Sequence, residues 1–138
     1  FAHRENTEFF TKNRKKYENL LKRLKENGNK VVIIYPIPST DIRRARLGVE
    51  FKKYGKINDK KSKYDEFLIS SSDAFSFYDS LAFDNIYRVF PHEFLCDKND
   101  CFGIRNQQIL ISDFDHPSKV TASWIVDKIA SMGMFSTE

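Results

Sequence analysis

No apolar run in the sequence approaches the ~20 residues that span a bilayer, so no segment reads as a transmembrane helix. An initiator Met and a signal-peptide pattern are also missing. The chain opens "FAHRENTEFF", charged from the fourth residue, and so reads as a piece of something longer. There is no internal repeat, and the lysine-rich stretch near residue 60 is the single compositionally biased segment. Cysteine is down to two copies. Against these absences stand 41% hydrophobic residues, 14% aromatics and thirteen Phe, a globular composition despite 30% charged residues. At 138 residues the chain has room for one domain with a real core, so residues 1–138 are taken as a single domain.

The net charge of +4 is unevenly placed. Residues 1–30 carry nine Lys/Arg against four Asp/Glu, and the rest of the chain is nearly balanced. A polyanion can dock on such a segment, but a solvated basic helix face explains the excess without one, and nucleic acid is not an expected partner.

Cys96 and Cys101 bracket four polar, turn-forming residues in "FLCDKNDCFG", which lets the two ends come within disulfide range. A disulfide there points to an oxidising compartment; two free thiols in a cytosolic loop remain the alternative on spacing alone. Zinc would need two more strong ligands, and only His92 is near.

Along the chain, Phe10, Tyr17, Leu20, Leu21 and Leu24 fall at helical spacing between Thr7 and Glu26, and Gly28 is placed to cap that helix. "VVIIYPIP" follows, expected as a strand buried on both faces of a parallel sheet and ended by Pro36 and Pro38. Tyr35 to Thr40 then lie at its carboxyl end, the edge where open α/β sheets build sites. Residues 41–66 read as a surface excursion with a helix possible in "DIRRARLGVEFKKYG". "SSSDAFSFYDSLAF" reads as a helix capped by Ser72 or Asp73, "IYRVFP" as a second strand and "QQILIS" as a third short strand or an extended segment. A last helix is expected from about Ser118, with Trp124, Ile125 and Ile129 on its apolar side.

The chemistry-bearing stretch is "ISDFDHPSKVTASWIVDKI", residues 111–129. A nucleophilic hydroxyl needs a neutral imidazole to take its proton, and that imidazole needs a carboxylate to fix its other nitrogen. Asp113 and His116, three apart in a turn entering a helix, can make the second contact locally. Asp115 competes for the orienting role but, as the immediate neighbour, is expected to point away. With eleven Asp and three His in the chain, an Asp-x-x-His arises by chance about one time in five, so the pair draws its weight from its surroundings.

Those surroundings resemble the SGNH (GDSL-like) hydrolase domain fused to the carboxyl end of bacterial membrane acyltransferases of the acyltransferase-3 type. The resemblance is carried by a basic helix before "VVIIYPIP" (31–38), by "VFPHEFLCDKNDC" (89–101) with its C-x(4)-C loop, and by "ISDFDHPSKVTA" (111–122). In the last block Asp113, His116, Ser118 and Ala122 match, while Pro117 stands where Leu is usual and Thr121 where Gly is usual.

The resemblance implies an α/β fold: a parallel sheet flanked by helices, SGNH/flavodoxin-like and three-layered, incomplete because its N-terminal strands lie outside this chain. Residues 1–138 would be the carboxyl-terminal part of that domain. His116 would be the general base and Asp113 its partner, with Cys96 and Cys101 joined as a disulfide. The implied reaction is O-acyl transfer, acetyl first, to a hydroxyl of a cell-envelope polysaccharide or lipopolysaccharide through an acyl-serine. An esterase with the same machinery and a non-catalytic basic polyanion-binding domain are the alternatives. The domain would bind no cofactor, because the acyl donor comes from an N-terminal integral membrane acyltransferase domain of the same polypeptide. It would sit on a bacterial inner membrane protein, facing the periplasm or cell exterior. The family's serine lies in a "GDS" block; none occurs here, and Ser39, Ser70 to Ser72 and Ser118 lack the small-neighboured elbow, so the nucleophile is expected outside this chain.

Of the remaining features, His3 and His92 are expected on the surface or in loops, and Phe75, Phe77, Phe83, Phe90, Phe94 and Phe102 in the core, with a sugar-stacking groove the alternative for a few of them. "RRAR", 43–46, is either a solvated helix face or a contact for an acidic sugar or lipid phosphate.

Overall fold

The structure, a computed structural model, describes residues 2–81, 84 and 86–135, with side chains from residue 12 onward except that of Arg44. The placements expected for the side chains of His3, Phe10 and Phe83 lie outside the described residues. Helix α1 runs Ala2–Glu26. It stops where Gly28 turns left-handed at φ 74°, with the Gly28 and Asn29 amides donating to the Lys25 and Leu24 carbonyls at 2.9 and 3.0 Å. Its apolar stripe is less buried than the spacing suggests. Leu21 packs inward, whereas Tyr17 and Leu20 are 39% and 48% exposed.

Strand β1, Val31–Ile34, pairs in parallel with β3, Ile86–Val89, from Val31 opposite Ile86 to Ile34 opposite Val89. The parallel sheet and its flanking helices make the fold mixed α/β, as expected. β1 is not buried on both faces, however: Ile33 is buried while Ile34 is 44% exposed, because the described helices cover one side of it better than the other. Helix α3, Tyr64–Asp79, supplies Phe77 to a cluster with Ile33, Tyr35 and Leu81. The expected cap at Ser72 or Asp73 is wrong. The helix starts eight residues earlier, after Lys63, and Ser72 sits inside it with its hydroxyl donating to the Ile69 carbonyl at 2.9 Å. "YDEFLIS" carries enough helical character, with Asp65 and Glu66 in the first turn, to begin sooner.

A second, antiparallel sheet was not expected. Its order is β2–β4–β5, with β2 Lys60–Lys63, β4 Asp100–Arg105 and β5 Gln108–Ile109. The lysine-rich stretch within the expected surface excursion is thus an edge strand. Lys61 and Lys63 place their ammonium groups 2.7 and 3.0 Å from the carboxylate of Asp100, which they hold below the usual range. "QQILIS" is mostly not strand: β5 covers two residues, and the central strand is β4, buried from Asp100 to Ile104. β4 and β5 are joined through Asn106 and Gln107, both at positive φ (51° and 68°), the backbone of a tight two-residue hairpin. The Gln107 side chain holds that tip by bonding both the N–H and the carbonyl of Ile57.

Helix α2, Arg44–Tyr54, the short α4, His92–Leu95, and α5, Lys119–Ser131, complete the structure. The second core lies among these elements and the antiparallel sheet, with Ile42, Leu47, Leu95, Ile104 and Ile111 buried and Phe94 edge-on to Trp124 at 5.9 Å. Cys96 and Cys101 are joined by a disulfide that closes the short loop between α4 and β4. A closed loop of about six residues withdraws about 2 kcal/mol of freedom from the unfolded chain. Reduction is therefore expected to lower Tm by about 6–10 °C in a thermal melt with and without a phosphine reductant. An unchanged Tm would show that the bond constrains nothing.

Candidate active site

Beyond Ile34 the chain crosses the carboxyl end of the parallel sheet, with Tyr35, Pro38 and Thr40 buried. Tyr35 continues the pairing, its N–H donating to the Val89 carbonyl at 2.9 Å, and its hydroxyl donates to Asp79 at 2.6 Å. Burial first, and that bond second, push the phenol up to about 12, so it stays neutral. Further along, the Thr40 N–H donates to the carbonyl of Phe114 at 3.0 Å. One backbone bond thus fastens the loop carrying Asp113 and His116 to the segment that follows β1.

The same loop is anchored from below. The Leu110 and Ile111 amides both donate to the Gly103 carbonyl, at 2.8 and 3.0 Å, and Ile111 bridges to Pro117. The Leu110 carbonyl accepts from the Ser118 N–H at 2.9 Å and from the buried Thr121 hydroxyl at 2.7 Å. Ser118 caps α5 as expected, its Oγ accepting from the Thr121 N–H. Thr121, which stands at the usual Gly position, thus helps tie helix to loop. Gly103 permits the packing: a Cβ there would overlap the Thr40 hydroxyl and lie 2.6 Å from Ile42 Cδ1. From the sequence Thr40 stands out only as the end of the segment 35–40 and Gly103 not at all, although a lone Gly between Phe102 and Ile104 is the usual mark of close backbone approach.

Within the loop, one oxygen of Asp113 gathers three donors. Oδ1 accepts from the Asp115 and His116 amides at 3.3 and 3.2 Å and lies 2.8 Å from His116 Nδ1. The His116 carbonyl in turn accepts from the Ser112 N–H at 2.8 Å. An ionised carboxylate only accepts, so Nδ1 carries the proton and the neutral ring presents its lone pair on Nε2. Nothing among the described residues bonds Nε2, and the side chain is 75% exposed. Asp115 does not point away: its Oδ1 is 3.3 Å from the same Nδ1, because the tight turn folds both carboxylates to one side of the ring. Asp113, Asp115 and His116 offer three ligand atoms within 4.8 Å of one another, but a cation there would first have to break the Asp113–His116 bond.

The Asp113 hydrogen bond, then the charges of Asp113 and Asp115, raise the imidazole above its ordinary value. The His116 bond lowers Asp113. The pair stabilises the folded chain fully above the ordinary carboxylate range and below the ordinary imidazole value. That contribution fades as pH falls through the depressed Asp113 value or rises through the raised His116 value. An NMR titration of the ring nitrogens is expected to show His116 above 6.5 and Asp113→Asn moving it down. A wild-type value at or below 6.5 would refute the contact.

His92 sits elsewhere, and on neither the surface nor a loop as expected: it opens α4. Its half-buried ring lies 5.5–6.0 Å from the rings of Tyr64, Phe67, Phe75 and Phe90, and desolvation lowers its pKa. Aromatic packing of a neutral ring accounts for it. In "RRAR", Arg43 pairs with Asp41 at 3.2 Å, and the Arg44 side chain lies outside the described residues.

No curated protein and no solved structure matches the chain. A family model does, that of the SGNH domain (fused to AT3 domains), over residues 2–131. With nearly the whole length matched, the chain belongs to the family of SGNH domains fused to AT3 domains, whose hydrolase/acyltransferase type is in keeping with an imidazole–carboxylate pair.

Proposed function

We propose that His116 is the general base, and Asp113 its orienting partner, of an O-acyltransferase acting on a hydroxyl of a cell-envelope glycan. The observation that carries this reading is the 2.8 Å contact between Asp113 and His116 Nδ1, on a ring whose Nε2 faces solvent. In the first half-reaction a serine from outside residues 1–138 gives its proton to Nε2 and attacks the acyl carbonyl. The imidazolium then protonates the departing donor. In the second half-reaction the glycan hydroxyl gives its proton to Nε2 and attacks the acyl-serine, and the serine leaves with that proton. Asp113 and Asp115 stabilise the imidazolium in both halves. The acyl donor, acetyl in the first instance, reaches the domain from the membrane acyltransferase part of the same polypeptide, so no cofactor is required here. The disulfide supports an extracytoplasmic site on an inner-membrane protein.

The exposure of His116 also favours a second reading, hydrolysis, because water reaches an open ring as readily as a sugar does. The partition decides between the two. Full-length protein supplied with an acyl ester and an acceptor oligosaccharide is expected to place most of the acyl groups on sugar, read by mass spectrometry. Release as free acid alone, with the acceptor unmodified, would make the protein an esterase.

A further inference from the structure

A cleft of about 530 Å³ lies between α2 and β2. Its volume falls in the range of small-molecule sites, ~300–1,000 Å³. Arg46, Val49, Lys53, Tyr54, Asn58 and Lys60 line it. The acidic side chain in its wall, Glu50, is already engaged, bonded to the Lys60 ammonium and to the Asn58 N–H at 2.7 Å each. Lys60 thereby offsets the Glu50 charge. Arg46 and Lys53 are left with no acidic side chain paired to them among the described residues, so the cleft carries a positive excess. The exposed apolar surface is in the same place. Val49 is 67% and Tyr54 58% exposed, and Lys53 Nζ lies 5.0 Å from the Tyr54 ring centroid.

We propose that this cleft is a subsite for a carboxylated sugar unit of the acceptor glycan. As a binding site it stands on the cleft alone; that its occupant is the acceptor rests on the function proposed above. An arginine fork binds a carboxylate through two parallel hydrogen bonds, and a lysine beside it adds a point charge. The open face of Tyr54 suits the C–H face of a pyranose ring, and Val49 supplies the apolar floor next to it. A nucleic-acid strand would call for a longer cationic track with several stacking rings, and the cleft has one aromatic ring and two unpaired cations.

The position fits an acceptor. Arg46 follows Thr40 by six residues, so their Cα atoms are at most about 22 Å apart even for extended chain. Thr40 is the residue whose N–H holds the Phe114 carbonyl of the His116 loop. A glycan of several sugar units held at Arg46 is therefore long enough to span to the imidazole.

The test is a titration of the full-length protein, isotope-labelled in residues 1–138, with digalacturonic acid, with neutral maltose and with inorganic phosphate, followed by amide shifts. Digalacturonic acid is expected to shift amides between Ala45 and Lys60 saturably, with maltose and phosphate at least tenfold weaker. Arg46→Ala with Lys53→Ala should weaken it at least tenfold, and Tyr54→Ala severalfold; all three side chains are exposed, so the fold is not at risk. The proposal is overturned by binding that maltose or phosphate matches, by binding that the double variant leaves intact, or by no saturable shift in this segment. Binding is read without turnover. A catalytically irrelevant His116 would therefore sink the proposed function and leave the subsite standing, and the converse holds equally.

Discussion

His116→Ala in the full-length protein is expected to abolish acyl transfer, a loss of at least about 10³-fold, while leaving the fold intact. The magnitude follows from the role. Without the imidazole, neither the serine nor the glycan hydroxyl has a partner to take its proton. The intact fold follows from the position: the side chain is 75% exposed and bonds only within its own loop, so its removal opens no cavity. Asp113→Asn should cost less than this in rate but more in local order, since Asp113 Oδ1 also holds the Asp115 and His116 amides. Circular dichroism and a thermal melt beside the transfer assay separate the two effects. Transfer within tenfold of wild type in a folded His116→Ala protein would remove the general base from the account.

The second large effect lies outside the chemistry, at Gly103. Its carbonyl receives the Leu110 and Ile111 amides, and its bare Cα lets Thr40 and Ile42 pack against it. A Cβ at this position overlaps Thr40 Oγ1 and crowds Ile42 Cδ1, and both of these side chains are buried, so there is little room to shift. Gly103→Ala is expected to destabilise by about 3 kcal/mol, lowering Tm by roughly 10 °C, and Gly103→Val by more. Thr40→Ala should restore part of the loss in the double variant and not all of it, because the Thr40 Cβ remains 2.8 Å from the added carbon. Since Thr40 also holds Phe114, a surviving Gly103→Ala protein should lose activity beyond its loss of stability. A melt at the wild-type temperature would show that the strand yields and that Thr40 is not fixed by it.

How much of this was legible depends on how far each contact reaches along the chain. Asp113 and His116 could be paired from the sequence because their bond spans three residues and one turn. The Gly28 stop of α1, the Ser118 cap of α5 and the β-branched run of β1 were readable for the same local reason. The antiparallel sheet was not. β4 is buried but reads "DCFGIR", with Asp100 neutralised by two lysines of β2 that only the fold brings near. The hairpin at Asn106–Gln107 lacks the glycine that usually marks such a turn, and Gln107 tolerates positive φ while bonding Ile57, fifty residues earlier. The start of α3 was masked by a serine run that offered a plausible cap in mid-helix. At the site, Gly103 and the part played by Thr40 within the segment 35–40 escaped notice because each acts through a residue more than sixty positions away.

The central claim is that His116 activates a serine contributed from outside residues 1–138, and a serine-directed fluorophosphonate addresses it most directly. Peptide mapping of the labelled full-length protein is predicted to find the adduct on one serine beyond this segment, formed rapidly in the wild type and not in His116→Ala. An adduct on Ser39, Ser70, Ser71, Ser72 or Ser118, or labelling that proceeds equally without the imidazole, would contradict the account.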